Sequence, residues 1–191
     1  MTPLTQSNSV ERYWFLTWTT YGSWLPGDKR GFVGSVRKAF GRIVNHCEYG
    51  TPPARPDQRI REASAKNLKR SPILLTLNQA QGLLEQFHET CGVRGWKLIA
   101  VAIMRTHVHV VLGVLGDPNP EKIRGDLKAW GSRRLTQTCG RPEGGAWWSE
   151  GGSNRKLADE TAVETVLHYI RRQPNPLVIW TVEDREFGPA N

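Results

Sequence analysis

The sequence predicts an α+β fold built on one antiparallel sheet, and three patterns support that class. Residues 12–21 (RYWFLTWTTY) are rich in aromatic and β-branched types and partly alternate, which is typical of a strand. Residues 96–104 and 106–114 are two adjacent apolar runs, which indicates a hairpin. Segments with helical spacing follow the first strand and the hairpin. The succession strand, helix, strand, strand, helix, strand, helix predicts a ferredoxin-like sheet with the helices on one face.

Three helices are predicted from apolar spacing and from signals at their ends, and they cover about 79–91, 117–140 and 159–173. Asn78 is the expected N-cap of the first helix, with Gln81 completing a capping box. Pro120 opens the second helix and Pro174 closes the third. A short strand is expected at residues 146–149. The exposed face of the second helix is predicted to be basic: Lys122, Arg124, Lys128, Arg133 and Arg134.

The charge of the chain favours a polyanionic partner. Lys and Arg number 26 against 18 Asp and Glu, a formal net charge of +8 with a pI near 9.8. The polyanion is either nucleic acid or an anionic membrane. Membrane binding needs an apolar run of about 20 residues or a basic amphipathic anchor, and the sequence has no such run. Nucleic acid is therefore the expected partner, with no membrane association.

The length of 191 residues favours one domain, 1–191, with additions to its core. Residues 28–73 carry Gly, Pro and many basic residues without a sustained period, and they are predicted to be a basic insertion or long loop. This insertion is either a DNA-facing arm or a solvated excursion, and both remain open. Residues 174–191 are predicted to be a C-terminal tail.

The amino-terminal residues and the cysteines predict a cytoplasmic protein. The start, MTPLTQSNSVER, lacks the charged and apolar parts of a signal peptide. Cys47, Cys91 and Cys139 are odd in number, widely spaced and without a C-x-x-C pair. We expect thiols in a reducing compartment rather than disulfides or a zinc knuckle.

Two histidines on the second strand of the hairpin are candidate metal ligands. Side chains alternate along a strand, so His107 and His109 project from one face while Val108 and Val110 face the other way. Neutral imidazole is a common metal ligand, although two imidazoles need a further protein group to fix a catalytic cation. The alternative interpretation is two unrelated, hydrogen-bonded histidines.

The last helix brings a phenol and an amide to one side. Tyr169 and Gln173 are four residues apart, so they share a face at the margin of the apolar stripe formed by Val166, Leu167 and Ile170. Taken alone, a tyrosine at the rim of a core is structural, with its ring packed and its hydroxyl bonded.

The combination of an H-x-H strand, a downstream Y-x-x-x-Q helix, strong basicity and an α+β pattern resembles the HUH single-strand endonucleases. Among them it is most similar to the one-tyrosine transposases, IS200-like and REP-associated. The segments that carry the resemblance are FLTWTTYGSWLPGDKRG, IAVAIMRTHVHVVLGV, LKAWGSRRL, WWSEGG and VLHYIRRQ. The histidines precede the tyrosine, as in transposases and rolling-circle initiators and unlike relaxases. The chain departs from the family at Thr106, where Asn or Asp is frequent, and in its long insertion.

The resemblance implies an enzyme that nicks and rejoins single-stranded, hairpin-forming DNA through a 5′-phosphotyrosine. It implies that His107, His109 and Gln173 hold a divalent cation, Mg²⁺ or Mn²⁺, and that Tyr169 is the nucleophile. Basic residues in such interfaces usually contact phosphates, and those expected to do so are Lys128, Arg133, Arg134, Arg155, Lys156 and Arg172. Monomer and homodimer remain open, because the flexible 151–152 turn would permit exchange of the last helix.

Three competing functions are considered. A non-cleaving protein that binds structured DNA or RNA would not need all of the catalytic residues, and all of them are present. Histidine-triad nucleotide hydrolysis needs a third histidine where the chain has Val111. Two-motif phosphoesterases need two separate H-x-[ST] motifs, and the sequence has only one, His88-Glu89-Thr90, which lies on a predicted helix.

Overall fold

The computed structural model describes residues 11–29, 31–32, 35–37, 43–45, 52 and 54–185. In chain order the elements are β1 (Glu11–Thr19), β2 (Ser35–Arg37), β3 (Ile43–Asn45), α1 (Gln58–Lys66), α2 (Leu77–Arg94), β4 (Lys97–Ile103), β5 (His107–Leu115), α3 (Pro120–Cys139), β6 (Ser153–Leu157), α4 (Glu160–Arg171), β7 (Val178–Thr181) and a 3-10 turn (Val182–Arg185). None of the helices in this described part is long and apolar enough to cross a membrane. The predicted α+β class with an antiparallel sheet is confirmed.

Five strands form the main sheet in the order β6-β1-β5-β4-β7, and every neighbouring pair is antiparallel. The amino-terminal strand β1 therefore lies inside the sheet. It pairs with β5 on one side, where Thr17 lies opposite His109, and with β6 on the other, where Thr17 lies opposite Ser153. This register brings β1, β5 and β6 together beside the histidine pair.

The two faces of the sheet are covered by different helices. On one face Trp14, Leu16 and Trp18 pack with alternate residues of β5 against α2 and α3. On the other face Val111 and its neighbours pack against α4 through Val166, Leu167 and Ile170, and His109 projects to this same face. Here the expected arrangement needs a correction, because the helices do not share one face. The central strands are buried on both sides, so the sheet needs apolar cover on both.

The hairpin, the second predicted helix and the last predicted helix are confirmed to within a few residues. The first predicted helix begins earlier than expected, because Thr76 rather than Asn78 is the N-cap and Gln79 rather than Gln81 completes the capping box. Thr76 Oγ1 accepts from Gln79 N at 3.4 Å, while Gln79 Oε1 accepts from Thr76 N at 2.9 Å. The capping box of this helix is thus real but two residues earlier.

Two strands lie where the sequence did not predict them. The strand expected at 146–149 is limited to an isolated bridge between Thr20 and Trp148, and the sheet strand is β6 instead. The predicted tail at 174–191 contains β7, which pairs with β4. β6 is a polar edge strand without an apolar pattern, whereas β7 is a short, mostly apolar run of four residues, VIWT, that follows a proline-rich stretch.

The predicted insertion at 28–73 contains defined structure in the residues that can be described. These are the β2–β3 pair and α1, which is capped by the Asp57 side chain. No side chain of α1 is buried. His46 and Cys47 lie outside the described residues.

Candidate active site

The strand β5 presents His107 and His109 on one face, as predicted. Their ring centroids lie 4.8 Å apart with the rings nearly perpendicular. The alternation of β5 sends Val108 and Val110 into the core beneath α2 and α3. The histidine pair therefore faces the side of the sheet that carries α4.

His109 is held as a neutral imidazole. It is 5% exposed, and burial, followed by the nearby His107, lowers its pKa to about 3. Its Nδ1 lies 2.8 Å from Thr17 Oγ1, and its ring stacks on Phe15 at 5.4 Å between centroids. Its Nε2 is buried without a hydrogen-bond partner among the described residues. In the tautomer whose Nδ1–H donates to Thr17, this Nε2 presents a lone pair to the cavity.

His107 is half-buried at the start of β5, and its neighbour in sequence orients it. Thr106 Oγ1 lies 2.9 Å from His107 Nδ1. The chain departs from the family pattern at Thr106, where Asn or Asp is frequent. The Thr106 hydroxyl nevertheless has a local role, because it bonds the ring of the next residue, His107. Both histidines are thus bonded at Nδ1 by a threonine hydroxyl.

The helix α4 carries Tyr169, and the residues directly after it bring Gln173 to the histidine pair. Asp159 caps the helix, and its apolar stripe turns Val166, Leu167 and Ile170 toward the sheet. Tyr169 stands beside this stripe, 48% exposed, with its ring centroid 5.5 Å from that of His109. Gln173 follows one turn later, and its Nε2 donates to the Tyr169 carbonyl at 3.4 Å.

The histidines, Tyr169 and Gln173 line one cavity of about 840 Å³. Its other walls are Phe15, Thr17, Trp18, Thr19, Trp24, Phe32, Glu121, Arg124 and the turn at 149–153. All four residues predicted from the H-x-H and Y-x-x-x-Q patterns are therefore brought together within a single chain.

The donor set of this cavity fits a divalent cation. The orphaned, neutral His109 Nε2 is a ready ligand atom, and His107 lies beside it. No cluster of three or more His, Cys, Asp or Glu side chains is placed to hold a metal within the described part of the chain. Gln173 also lines the cavity, and its amide oxygen is of a kind that Mg²⁺ and Mn²⁺ accept.

The basic residues predicted to contact DNA occupy several different environments. Lys128 donates to the carbonyls of Ser149 at 2.7 Å and Gly151 at 3.0 Å. Arg134 forms an ion pair with Glu85 of α2, and Arg133 lies 4.4 Å above the Trp130 ring. The remaining three are exposed: Arg155, Lys156 and Arg172. None of these residues except Lys128 lines one of the two described cavities.

Sequence reasoning misplaced one residue of this site. Arg124 was expected on the exposed face of α3, but it is only 8% exposed and lines the cavity. Glu121 and Glu150 also line it and were not predicted. The available signal was the pair Gly151-Gly152, because adjacent glycines often mark a close approach of the backbone to another group.

Comparisons with known proteins identify the family. A solved structure of a candidate transposase from Deinococcus radiodurans R1 is similar at a TM-score of 0.48 and 16% identity, covering 91% of this chain and 99% of that one. A REP-associated tyrosine transposase bound to a REP hairpin is similar at a TM-score of 0.46 and 13% identity, covering 89% and 70%. No curated protein matches the chain. The family described as IS200-like transposase matches residues 67–173. Because that match spans more than half of its 191 residues, the chain belongs to the IS200-like transposase family.

Proposed function

We propose that this chain is a metal-dependent, one-tyrosine transposase that nicks and rejoins single-stranded, hairpin-forming DNA. The observation that carries the proposal is the position of Tyr169, whose ring lies 5.5 Å from His109 in the cavity that also holds His107 and Gln173. A structural tyrosine would be buried with its hydroxyl bonded. Tyr169 is instead half-exposed, with its ring beside a neutral histidine.

In the proposed reaction the Tyr169 phenolic oxygen attacks the phosphorus of one phosphodiester. A bond forms between that oxygen and phosphorus, and the bond from phosphorus to the 3′ oxygen breaks. The phenolic proton passes to solvent, and the departing 3′ oxygen takes up a proton to become a hydroxyl. One phosphodiester replaces another, so a 3′-hydroxyl of a second strand can reverse the step and join the ends.

The chain itself would hold and orient the reacting groups. A divalent cation, Mg²⁺ or Mn²⁺, would supply Lewis-acid polarisation of the scissile phosphate. His107, His109 and Gln173 are the residues proposed to bind it. Thr17 and Thr106 orient the two imidazoles by bonding their Nδ1 atoms. Because these residues lie in one chain, the geometry is compatible with cleavage in cis, by a monomer or by each subunit of a homodimer.

Charge supports DNA as the partner. The chain carries a formal net charge of +8, and Arg155, Lys156 and Arg172 are exposed for phosphate contacts. Arg133 is also exposed, and we propose the same role for it. Lys128 and Arg134 already bond the protein in this structure. We propose that both also contact phosphates of the DNA.

Trapping the covalent intermediate tests the proposal. The full chain is incubated with a labelled hairpin oligonucleotide and Mn²⁺, then separated under denaturing conditions. We expect a labelled protein adduct with the wild type and none with Tyr169→Phe. Tyr13→Phe is the matched control, because it removes one hydroxyl on the same face of the sheet, where it bonds Glu11 at 2.9 Å, and should still form the adduct.

Two outcomes would overturn the assignment. The first is wild-type protein that binds the hairpin but forms no adduct, which would support a non-cleaving DNA-binding protein. The second is an adduct that persists in Tyr169→Phe, which would place the nucleophile elsewhere in the chain.

A further inference from the structure

Arg124 is a buried cation in the wall of the candidate active site. Its side chain is only 8% exposed, yet a guanidinium stays charged at every physiological pH. It lines the cavity that holds Tyr169 and His109. It also lines a second, smaller groove of about 340 Å³ along α3, so it is a wall residue of both spaces.

Two elements hold Arg124 in this position. Its Nη1 donates to Asn154 Oδ1 on β6, across the sheet edge from α3. Gly152 lies directly against its stem, since a Cβ at that position would come within 2.9 Å of Arg124 Cδ and 2.5 Å of the Thr17 carbonyl. Gly152 also has a φ of +138°, a backbone conformation that residues with a side chain rarely adopt. Because Gly152 has no side chain, the turn leaves room for the Arg124 side chain beside it.

A second cation lies close to Arg124. Lys128 is one turn further along α3, and burial, followed by the charge of Arg124, lowers its pKa to about 8, while Glu150 acts in the opposite direction. The two cations repel each other, and an anion bound between them would reduce that repulsion. The groove formed by Arg124, Lys128 and the small residues Gly125, Ala129 and Ser132 shares three wall residues with the main cavity: Glu121, Arg124 and Gly151.

We propose that Arg124 binds one phosphate of the DNA strand, next to the phosphate that Tyr169 attacks, and directs the strand from the cavity into the groove along α3. This inference rests on the proposed function and deepens it by naming a contact to the substrate. A guanidinium fork matches two oxygens of one phosphate, and a fork held by Asn154 and Gly152 is oriented before the DNA arrives.

Phosphate neutralisation tests this contact directly. The full chain is kept in EDTA, so that binding is measured without cleavage, and is titrated with hairpin oligonucleotides in which single phosphates are replaced by neutral methylphosphonates. With the wild type, we expect one position at which the replacement weakens binding about tenfold, the effect of losing a hydrogen bond to a charged group. Arg124→Gln should bind the unmodified hairpin about tenfold more weakly and be insensitive at that position.

Arg94→Gln is the matched control. It makes the same substitution and the same change in net charge, but Arg94 pairs with Asp126 at 2.8 Å and lines neither cavity. Its binding profile across the modified hairpins should match that of the wild type. Arg124→Lys is a second variant that keeps the charge but not the fork, and it should bind more weakly than the wild type while staying sensitive at the same phosphate.

The inference is wrong if Arg124→Gln has wild-type affinity or keeps the complete wild-type profile. If Arg124→Gln does not fold, as judged by thermal unfolding, an Arg124→Lys profile with its sensitive position lost or moved would overturn it. The adduct assay separates the two proposals. If the wild type forms an adduct but the binding profile of Arg124→Gln is unchanged, only the proposed arginine contact is wrong. If the profile of Arg124→Gln changes but the wild type forms no adduct, only the proposed cleavage is wrong.

Discussion

His109 combines deep burial with an imidazole that has lost its basicity. With a pKa of about 3 it stays neutral at physiological pH, so a cation does not compete with a proton for its ring. Thr17 fixes the ring from the opposite strand, and Phe15 stacks on it. The arrangement of this one residue depends on β1 at least as much as on the strand that carries it.

Removing the threonine hydroxyl should weaken the proposed cation site. Thr17→Val keeps the β-branched shape but removes the oxygen that lies 2.8 Å from His109 Nδ1. Loss of such a supporting bond typically lowers metal affinity about 10- to 100-fold. Titration with Mn²⁺ followed by electron paramagnetic resonance measures this without DNA. Thr138→Val, at an exposed residue of α3, should bind Mn²⁺ as the wild type does. Equal affinity in folded Thr17→Val would contradict the role of Thr17.

At the scale of single elements, α2 shows how a helix start is chosen among nearby polar residues. Thr76 and Asn78 both precede apolar positions at helical spacing, and each has Gln three residues later. Thr76 is the N-cap because the residue before it is fixed by the core. Leu75 is buried, and the Leu75 N–H donates to the Arg105 carbonyl at 2.8 Å. This tertiary contact determines where the helix begins, and it cannot be predicted from the local sequence around Thr76 and Asn78.

Alanine substitutions distinguish the two possible caps. Thr76→Ala should lower the free energy of unfolding by about 1 kcal/mol, the usual loss of an N-cap side chain. Asn78→Ala lies within the exposed first turn of α2 and should change it by less than about 0.5 kcal/mol. Urea denaturation of the two variants gives both values. The reverse order of destabilisation would restore Asn78 as the cap.

The elements that the sequence predicts well are those with a strong period or a long apolar run. The hairpin of β4 and β5 and the stripe of α4 are examples, and they place His107, His109, Tyr169 and Gln173. β6 was missed because its residues, SNRKL, form a polar edge strand whose pairing with β1 is a tertiary event. Arg124 was misplaced for a related reason, since helical spacing alone does not show that a turn 28 residues later covers it.

At the scale of the whole molecule, β7 is an edge strand of the main sheet, beside β4. β7 pairs with β4 from Ala100 to Ile103, and Leu177 N–H donates to the Ile103 carbonyl at 2.9 Å. Trp180 packs its ring edge-on against His88 of α2 at 4.3 Å between centroids. The segment predicted as a tail thus joins the sheet to a helix of the main core.

Truncation tests the contribution of β7 to the fold. A chain ending at Gln173 loses the whole strand and leaves the edge of β4, a buried strand, uncovered. Its melting temperature should fall by about 10 °C or more, since each kcal/mol corresponds to roughly 2–4 °C in a protein of this size. A chain ending at Arg185 keeps β7 and should melt well above the chain that ends at Gln173. Circular dichroism measures both, and equal melting of the two truncations would show that β7 adds nothing.

The inside position of β1 has a consequence during synthesis. Thr17 and its partner His109 are 92 residues apart in the chain, and the other neighbour of β1, β6, is made later still. At roughly 5–20 residues per second, the ribosome needs about 5 to 20 seconds to make the strand that first pairs with β1. During that interval Trp14, Leu16 and Trp18 have no sheet to join. Of the five strands in the described sheet, β1 is synthesised first, and it stays without a strand partner until β5 has been made.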